Sequence, residues 1–389
     1  MSAAASQADE QFIRRALRLA INGRGRAEPN PIVGCVIVKD GRVIGGGYHQ
    51  QFGQPHAEPN ALASCIESPQ GATAYVTLEP CCHTDKKTPP CVPQLIEAGI
   101  ARVVAGCLDP NPAVNGKGLA LLRQAGVEVT APVLEAECKQ LIAPFIAYSI
   151  HKRPYVTLKW AQTADNKVAG PGGVPIQITN PRSTRAVQAL RARAHAIAVG
   201  IGTLLADNPR LTVRELPRES SAQQLRILLD PSLRVTPDRR IFEEDERSTP
   251  VRVYHRTGGL ADRIRALAME GINLRALPTN PDGRLSLLHL LQDLHEESIT
   301  HLLVEPGPTL AQGFFAENLA DRVWVFRSPK RIDDPTAPDA PRIPDHFVES
   351  GKLDLDGDTL TEYLNSKSPL FFTATPSADF VLTESSHSS

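Results

Sequence analysis

A histidine, a glutamate and two cysteines fall within residues 55–91, and their types and spacing are those of hydrolytic metal chemistry. His56 and Glu58 form a His-x-Glu pair, Cys81 follows a Glu-Pro dipeptide, and Cys91 follows two prolines. A catalytic zinc ion takes three protein ligands and keeps a fourth position for water, which becomes a nucleophile near neutral pH. A carboxylate that is not a ligand can then carry the proton to the leaving group. We therefore expect His56, Cys81 and Cys91 to bind one Zn²⁺ ion per chain and Glu58 to be the catalytic acid/base.

The cysteines have two other interpretations. They could be ordinary buried thiols, because free cysteine is among the most buried residue types, or they could hold a structural zinc ion with His83 as the fourth ligand. The surrounding sequence favours catalysis. Residues 74–78 are β-branched and aromatic and predict a strand that ends at Cys81. His56 opens a predicted helix over residues 57–65. Two ligand-bearing ends that point at one space are typical of zinc nucleobase deaminases.

Composition limits the class of protein. The chain has 389 residues, 41% of them hydrophobic and 22% charged, with a net charge of −1. These values are ordinary for a globular protein of about two domains, and they argue against a nucleic-acid coat or a membrane-surface protein. All seven cysteines lie between residues 35 and 138, a pattern that favours a metal site in a reducing compartment over a disulfide framework. We find no signal-peptide pattern or apolar run of membrane length, so we expect a cytoplasmic enzyme.

Strands alternate with helices along the chain, which predicts an α/β protein. We place the domain boundary after residue 150: residues 1–150 form the zinc-dependent domain, residues 151–380 form a second domain, and residues 381–389 form a disordered tail. In the first domain we predict helices at 9–22, 92–98, 119–125 and 135–150, strands at 32–38, 102–106 and 127–129, and a hairpin turn at Asp40-Gly41. In the second we predict strands at 155–160, 196–199, 226–229, 251–254, 302–304 and 323–326, helices at 181–193, 260–269, 285–297 and 308–318, and polar loops at 215–224, 236–249 and 331–346.

Residues 29–153 resemble the deaminase half of the bifunctional deaminase/reductase family of riboflavin biosynthesis. The resemblance runs through the segments 29–38, 53–62, 75–81, 88–91 and 109–112. It implies a cytidine-deaminase-like three-layer fold and hydrolytic removal of the 2-amino group from a diaminopyrimidinone that carries a ribosylamino 5′-phosphate. One residue is inserted near 85–87 relative to the family, which leaves Cys81 and Cys82 as alternative ligands. Residues that would hold the substrate, or would instead bond their own loop backbone, are Asn30, His83, Asp109 and Asn111.

Residues 153–375 resemble the reductase half of that family, which has a dihydrofolate-reductase-like fold and uses NADPH. The segments that carry the resemblance are 190–214 and 303–310. A glycine turn between a strand and a helix suits a phosphate, because the first N–H groups of the helix face the anion. The cofactor-binding residues that the resemblance implies are Ala161, Thr203, Asp207, Gly307, Pro308, Thr309, Leu310, Ala311, Gln312 and Gly313. The substrate-binding residues that it implies are Lys159, Arg191, Leu211, Arg214 and Glu305.

The second half departs from the family pattern at Asn166, Pro175, Gln177, Pro306 and residues 330–333. These changes leave an alternative open, in which the deaminase is active and the C-terminal domain has lost reductase activity and serves in binding or oligomerisation. A nucleic-acid deaminase is a weaker alternative, since it would need a basic channel with stacking aromatics and aromatics make up 5% of this near-neutral chain. The partners we expect are the small pyrimidine phosphate and, as in the family, further copies of the chain in a homo-oligomer.

Overall fold

The computed structural model describes residues 5–83, 88–112, 114–214, 224–243, 249–258 and 260–385. The chain divides into two compact units. The first contains the residues up to His151 together with the segment Ser377–Leu382, and the second contains Lys152–Pro376 and the residues after Leu382. Within the described ranges, no helix combines the length and the apolar character that crossing a membrane would require.

The first unit is built on a mixed sheet with the strand order β2-β1-β3-β4-β5. Its strands are β1 (Gly34–Lys39), β2 (Arg42–Tyr48), β3 (Thr73–Leu78), β4 (Arg102–Cys107) and β5 (Glu128–Thr130). Its helices are α1 (Gln7–Ala20), α2 (Ala57–Ala63), α3 (Cys91–Glu97), α4 (Lys117–Gln124), α5 (Glu135–Leu141) and α6 (Ala143–Ser149). Strand β1 pairs antiparallel with β2 and β3, whereas β3, β4 and β5 run parallel. Cys81, one of the expected zinc ligands, follows the C-terminal end of β3, one of the parallel strands.

Helix α1 shows how tightly this unit is packed. It begins at a capping box in which Ser6 and Asp9 bond each other's backbone N–H groups, and it buries Ile13 and Ala16 against the sheet. A side chain at Gly34 of β1 would place its Cβ 2.0 Å from the Ala16 carbonyl oxygen, so glycine is required for this approach. The guanidinium of Arg102 then bonds both carboxylate oxygens of Asp9, at 2.8 and 3.0 Å, and ties α1 to β4.

The second unit contains a larger sheet with the strand order β10-β9-β8-β7-β11-β6-β12-β14-β13. Its strands are β6 (Tyr155–Gln162), β7 (Ala196–Gly200), β8 (Leu225–Leu229), β9 (Val251–Arg256), β10 (Asn273–Leu277), β11 (His301–Val304), β12 (Arg322–Arg327), β13 (Phe347–Leu355) and β14 (Asp358–Asn365). Its helices are α7 (Pro181–Arg193), α8 (Ile201–Asp207), α9 (Ala261–Met269), α10 (Leu287–Glu296) and α11 (Pro308–Ala316). The strands from β10 to β12 run parallel, and β14 and β13 close the sheet in antiparallel fashion. Buried strand residues such as Leu158 and Ile227 form the core with Leu290 of α10 and Phe314 of α11.

Most predicted elements are present, with ends shifted by a few residues. The Asp40-Gly41 turn joins β1 to β2 with both residues at positive φ, as a tight hairpin requires. Asn180 caps α7 through a bond from the Ser183 N–H, and Pro181 is its first residue, as predicted. The single helix predicted at 135–150 is wrong, because the chain breaks at Ile142 and restarts as α6 with Pro144 in its first turn, where proline is tolerated.

The predicted disordered tail from residue 381 is wrong where the structure describes it. A last helix, α12 (Ala378–Ser385), covers these residues, and Ala378, Val381 and Leu382 pack with Ile21, Ala27 and Ile32 of the first unit. Burial of these apolar side chains gives the segment a reason to be ordered that its short, Ser-rich sequence did not reveal. The end of the tail (386–389), the insertion near 85–87, and the loop parts 215–223 and 244–248 lie outside the described residues.

Candidate active sites

The side chains expected to bind zinc meet where β3 ends and where α2 and α3 begin. His56 is the N-cap of α2, Cys91 is the first residue of α3, and Cys81 follows β3. The Nδ1 atom of His56 lies 3.5 Å from the Sγ atoms of both Cys81 and Cys91. All three potential ligand atoms lie within 4.8 Å of one another. The strand end and the two helix starts thus bring together residues that are far apart in sequence.

These distances fit a zinc ion. A tetrahedral site with Zn–S of about 2.3 Å and Zn–N of about 2.0–2.1 Å places nitrogen and sulfur about 3.6 Å apart, close to the 3.5 Å seen here. The backbone holds this geometry, because the N–H groups of Cys91 and Val92 donate to the Cys81 carbonyl at 3.0 and 3.2 Å. The cluster found among the described residues contains Cys81 and neither Cys82 nor His83. Of the two alternative ligands, Cys81 is the one that faces His56 and Cys91.

Glu58 lies in the first turn of α2 and is 3% exposed. It lines the same cleft as His56 and Cys81. Burial, reinforced by the negative charge of Cys81, raises the pKa of Glu58 to about 6, although a bound cation would oppose this shift. A buried carboxyl group beside the expected ligands, but not among them, is suited to carry a proton.

Two glycines of β2 decide where Glu58 stands. A Cβ at Gly47 would lie 2.3 Å from the Ala61 backbone nitrogen, and one at Gly45 would lie 2.5 Å from the Ala61 carbonyl oxygen. Helix α2 therefore rests directly on the backbone of β2, closer than any side chain on that face would allow. The Gly45-Gly46-Gly47 run thus serves helix packing, and through it the position of Glu58.

Several residues that sequence reasoning did not assign orient the site. Thr88 Oγ1 lies 3.3 Å from His56 Nε2, so the hydroxyl oxygen accepts a hydrogen bond from the Nε2–H group when Nδ1 faces a metal. His49 lies with its ring 5.1 Å from that of His56, and its Nδ1 is 3.1 Å from the Pro55 carbonyl. Its Nε2 is 3.2 Å from Asn30 Nδ2. The Thr-Pro-Pro-Cys motif and the histidine after a Gly-rich strand were the available signals.

Glu79 is a further organising residue. It is 3% exposed, and its carboxylate accepts hydrogen bonds from the N–H groups of Asp109, Gly116, Gly118 and Leu119 at 3.2, 2.7, 2.9 and 3.3 Å. The last of these N–H groups belong to the start of α4, where a negative charge is favourable. Only one residue separates Glu79 from Cys81 in the sequence. Glu79 therefore ties the segment that carries Cys81 to the loop that carries Asp109.

The cleft around these residues has a volume of about 330 Å³, at the small end of ligand pockets. All four polar residues expected to hold the substrate line it: Asn30, His83, Asp109 and Asn111. Asp109 also accepts a hydrogen bond from the Asn111 N–H at 2.8 Å, so the loop-bonding interpretation applies to it as well. The cleft therefore brings these four polar residues together with His56, Cys81 and Glu58, which also line it.

A second and larger cleft, of about 1010 Å³, lies in the second unit. Two adjacent parallel strands, β7 and β11, end there and lead into α8 and α11, whose N-caps are Gly200 and Gly307. This is the usual place for a nucleotide in a parallel sheet. The expected residues that line the cleft are Lys159, Ala161, Thr203, Asp207, Glu305, Gly307, Pro308, Thr309, Leu310 and Gly313.

Glu305 forms a buried ion cluster at the wall of this cleft. Its carboxylate accepts from Arg191 Nε at 2.6 Å and Nη2 at 2.9 Å, and Lys159 Nζ lies 3.2 Å away. Although burial opposes ionisation, the two cations hold the pKa of Glu305 well below its usual range. Burial lowers the pKa of Lys159, and Glu305 counteracts that shift. Burial raises the pKa of the nearby Asp207.

Five of the expected residues do not line the cleft. Arg191 reaches it through Glu305 and directs its remaining Nη1 at the Thr212 carbonyl, 3.4 Å away. Leu211 is buried, with a left-handed φ of 57°, and Arg214 is exposed. Ala311 is buried within α11, and Gln312 is exposed on its outer side. The periodicity of a helix explains the last two, because residues 311 and 312 point away from a ligand at the helix start.

Fold and site together define a zinc-binding deaminase unit followed by a nucleotide-binding reductase unit. Residues 6–107 match the zinc-binding region of cytidine and deoxycytidylate deaminases, and residues 154–345 match the RibD C-terminal domain. The riboflavin biosynthesis protein RibD of Aquifex aeolicus is 41% identical, over 83% of this chain and 87% of its own length, and that of Escherichia coli is 42% identical, over 83% and 88%. The chain therefore belongs to the RibD family of riboflavin biosynthesis proteins. It is a bifunctional deaminase and reductase, and its cofactors are Zn²⁺ and NADPH.

Solved structures agree with this assignment. Acinetobacter baumannii RibD is 34% identical and superimposes with a TM-score of 0.76 over 92% of this chain and 99% of its own. A Thermotoga maritima protein, described as a diaminohydroxyphosphoribosylaminopyrimidine deaminase and 5-amino-6-(5-phosphoribosylamino)uracil reductase, is 36% identical with a TM-score of 0.75 over the same shares. The expected cytidine-deaminase-like and reductase folds are thereby confirmed.

Proposed function

We propose that the chain carries out two successive reactions of riboflavin biosynthesis. The first unit hydrolyses the 2-amino group of 2,5-diamino-6-ribosylamino-4(3H)-pyrimidinone 5′-phosphate. The second reduces the ribosyl group of the product to a ribityl chain with NADPH. The observation that carries the proposal is the position of Glu58 beside the His56–Cys81–Cys91 cluster, in a cleft of about 330 Å³.

In the deaminase reaction, His56, Cys81 and Cys91 would hold zinc, which when bound activates a water molecule as the nucleophile. Glu58 takes the proton of the attacking water and returns it to the amine, so that water enters and ammonia leaves. Thr88 keeps the histidine in the orientation that directs Nδ1 at the ligand cluster. The buried position of Glu58 excludes competing solvent from this proton transfer.

In the reductase reaction, NADPH when bound supplies the hydride, and the protein supplies position. The N–H groups at the start of α11 would face its phosphates, with Gly307, Thr309 and Leu310 nearest. Lys159 presents its ammonium group to the cleft and would bind the polar substrate. Arg191 would act on that substrate through Glu305, because its Nε and Nη2 atoms are bonded to the carboxylate. Of the two arginines expected to hold the substrate, Arg191 is thus proposed as a positioning residue, and Arg214 as the exposed cation that binds the substrate directly.

The test is a coupled assay on zinc-loaded protein. The diaminopyrimidinone phosphate and NADPH are added together, and ammonia release and loss of NADPH absorbance are followed in the same sample. We expect ammonia first and NADPH oxidation after it, in equal final amounts. Ammonia without NADPH oxidation would support the alternative, in which the second unit serves in binding or oligomerisation. Absence of ammonia would refute the proposed substrate.

The setting of the enzyme is also part of the proposal. All seven cysteines lie among the described residues and none of them forms a disulfide bond there, which suits a reducing cytoplasm. A net charge of −1 gives no electrostatic attraction for nucleic acid. We therefore propose a cytoplasmic enzyme that acts on a small molecule without nucleic acid and, by analogy with its family, as a homo-oligomer. Light scattering of the purified protein would measure the last point.

A further inference from the structure

The C-terminal segment Ser377–Leu382 belongs to the first unit, although the whole reductase sequence separates the two. This segment contributes a buried carboxylate. Asp379 is 1% exposed and lies beside Arg24, which is 4% exposed, and Glu28, which is 8% exposed. Arg24 Nε is 3.3 Å from Asp379 Oδ1, and Arg24 Nη2 is 3.5 Å from Asp379 Oδ2. The segment thus inserts a charge into the interior of the deaminase unit.

Arg24 joins this carboxylate to a second one. Its Nη1 donates to Glu28 Oε1, and Glu28 Oε2 accepts from the Gly25 N–H at 2.9 Å. A buried guanidinium is tolerated when carboxylates surround it, and removing one partner leaves an uncompensated buried charge. Although burial opposes it, Asp379 and Glu28 raise the pKa of Arg24. The three side chains therefore form one buried ionic group, whose members depend on each other for position.

Glu28 stands directly before the loop that enters the deaminase cleft. Asn30 follows it after one proline, and Asn30 and His49 both line the cleft. Asn30 Nδ2 is 3.2 Å from His49 Nε2, and His49 Nδ1 is 3.1 Å from the Pro55 carbonyl, next to the first expected zinc ligand. The contacts run without interruption from Asp379 to the wall of the active site.

Apolar contacts of the same C-terminal segment also support the loop that carries Asn30. Ala378, Val381 and Leu382 pack with Ala27 and Ile32, which bracket the loop on both sides. Ser377 fixes the start of the segment, because its side chain accepts from the Phe380 N–H at 3.3 Å and its carbonyl accepts from the Val381 N–H at 3.0 Å.

We propose that Asp379 is a positioning residue of the deaminase: through Arg24 and Glu28 it holds the loop that presents Asn30, and with it His49, to the substrate. The segment Ser377–Leu382, which follows the reductase sequence, thus contributes to substrate binding by the deaminase. The inference rests on the proposed function of the 330 Å³ cleft as the substrate site.

The test compares Asp379→Ala and the milder Asp379→Asn with a matched control, Glu384→Ala. Glu384 is acidic, lies on the same helix and is exposed. Amide hydrogen exchange of residues 24–32 should be faster in Asp379→Ala, less so in Asp379→Asn, and unchanged in the control. The KM for deamination should rise about 10- to 100-fold in Asp379→Ala, as expected for a displaced binding group, with kcat and zinc content within about twofold. NADPH oxidation on pre-deaminated substrate should not change.

A purely stabilising role gives a different result. It would lower kcat and zinc content together, as the fraction of folded deaminase falls, and leave KM unchanged; that outcome overturns the proposal. Unchanged exchange in both Asp379 variants overturns it as well. Hydrogen exchange needs no substrate, so a wild-type protein that fails to deaminate would refute the proposed function and leave the exchange comparison to decide the role of Asp379.

Discussion

Replacing Cys81 by serine should release zinc, whereas replacing its neighbour Cys82 should not. The two residues are adjacent and chemically identical, so each variant is the control for the other. Cys81 places its Sγ 3.5 Å from His56 Nδ1 and accepts two backbone hydrogen bonds at its carbonyl from the start of α3. Cys82 is half-exposed and lies outside the ligand cluster that the described residues form.

The size of the effect follows from the number of ligands. Zinc bound by four protein ligands in small peptides contributes about 10–16 kcal/mol, which is about 2.5–4 kcal/mol for each ligand. Loss of one thiolate should therefore weaken binding by about 10²- to 10³-fold. Serine is close in shape to cysteine, so the packing around the site should change little. Cys82→Ser should bind zinc with wild-type affinity, within about twofold.

Competition against a chromophoric chelator measures these affinities, and metal analysis after dialysis gives the zinc content per chain. The expected order is wild type equal to Cys82→Ser, followed by Cys81→Ser. A Cys81→Ser protein that keeps a full equivalent of zinc, together with a Cys82→Ser protein that loses it, would reverse the assignment of the ligand. Equal loss in both would mean that the turn as a whole, and not one thiolate, decides binding.

Three further changes test proton transfer, the reductase and the fold. Glu58→Gln cannot take up a proton, so deamination, followed as ammonia release, should fall about 10²- to 10⁴-fold while the zinc content is retained. Arg191→Ala leaves Glu305 with one cation fewer, so NADPH oxidation should fall and ammonia release should not; equal loss of both would contradict separate sites. Asp9→Asn should lower the free energy of unfolding at pH 7, measured in urea, by about 2 kcal/mol. Burial opposes ionisation of Asp9, but hydrogen bonds, chiefly from the Arg102 guanidinium, lower its pKa from 3.8 to about 2. Because the pKa of Asp9 is lower in the folded than in the unfolded protein, the stability difference between wild type and Asp9→Asn is full above about pH 4 and disappears as the pH falls towards 2. The control Glu10→Gln, on the same turn, should lower the free energy of unfolding by less than about 0.5 kcal/mol.

The zinc site could be predicted from sequence because its signals are local. His56 and Cys91 each begin a helix and Cys81 follows a strand, so residue type and position at the ends of these elements together predict that the three side chains meet at one site. Glu79 shows the limit of this reasoning. Its four hydrogen-bond donors lie 30 to 40 residues further along the chain, and no periodicity reports such contacts. His49, whose ring nitrogens contact Asn30 and the Pro55 carbonyl, was also overlooked, although its place directly after a Gly-rich strand was an available signal.

The fold was predictable where elements are apolar and regular, and less so at its edges. Strand β10 at the sheet edge carries exposed and half-buried residues apart from Leu277, so it lacks the hydrophobic pattern of a central strand. Strand β13 is the opposite edge, and a register shift between Glu349 and Gly351 interrupts its alternation. Helix α12 is stabilised by residues near the other end of the sequence. These elements owe their stability to tertiary contacts that single-sequence patterns do not contain.

Hydrogen bonds link several of the segments in which the second half departs from its family pattern. Asn166, one of these departures, has a φ of 62°, a left-handed conformation that asparagine tolerates. The Ala164 N–H donates to the Lys330 carbonyl at 2.8 Å, and the neighbouring carboxylate of Asp165 accepts the N–H groups of Ile332 and Asp333 at 3.1 and 2.9 Å. Lys330 Nζ in turn donates to the Gln177 carbonyl at 2.7 Å, and Gln177 lines the large cleft.

Pro306, a further departure, also lines that cleft. It removes one N–H group before α11, but the N–H groups of Gly307, Thr309 and Leu310 remain at the helix start, where a helix has no internal partners for them. The changed segments thus bond to each other and preserve the donors that a phosphate needs. Of the departures, Gln177 and Pro306 line the large cleft, and hydrogen bonds join residues 164–165, residues 330–333 and Gln177 to one another. These contacts, together with the N–H groups kept at the start of α11, favour an intact reductase site over a lost one.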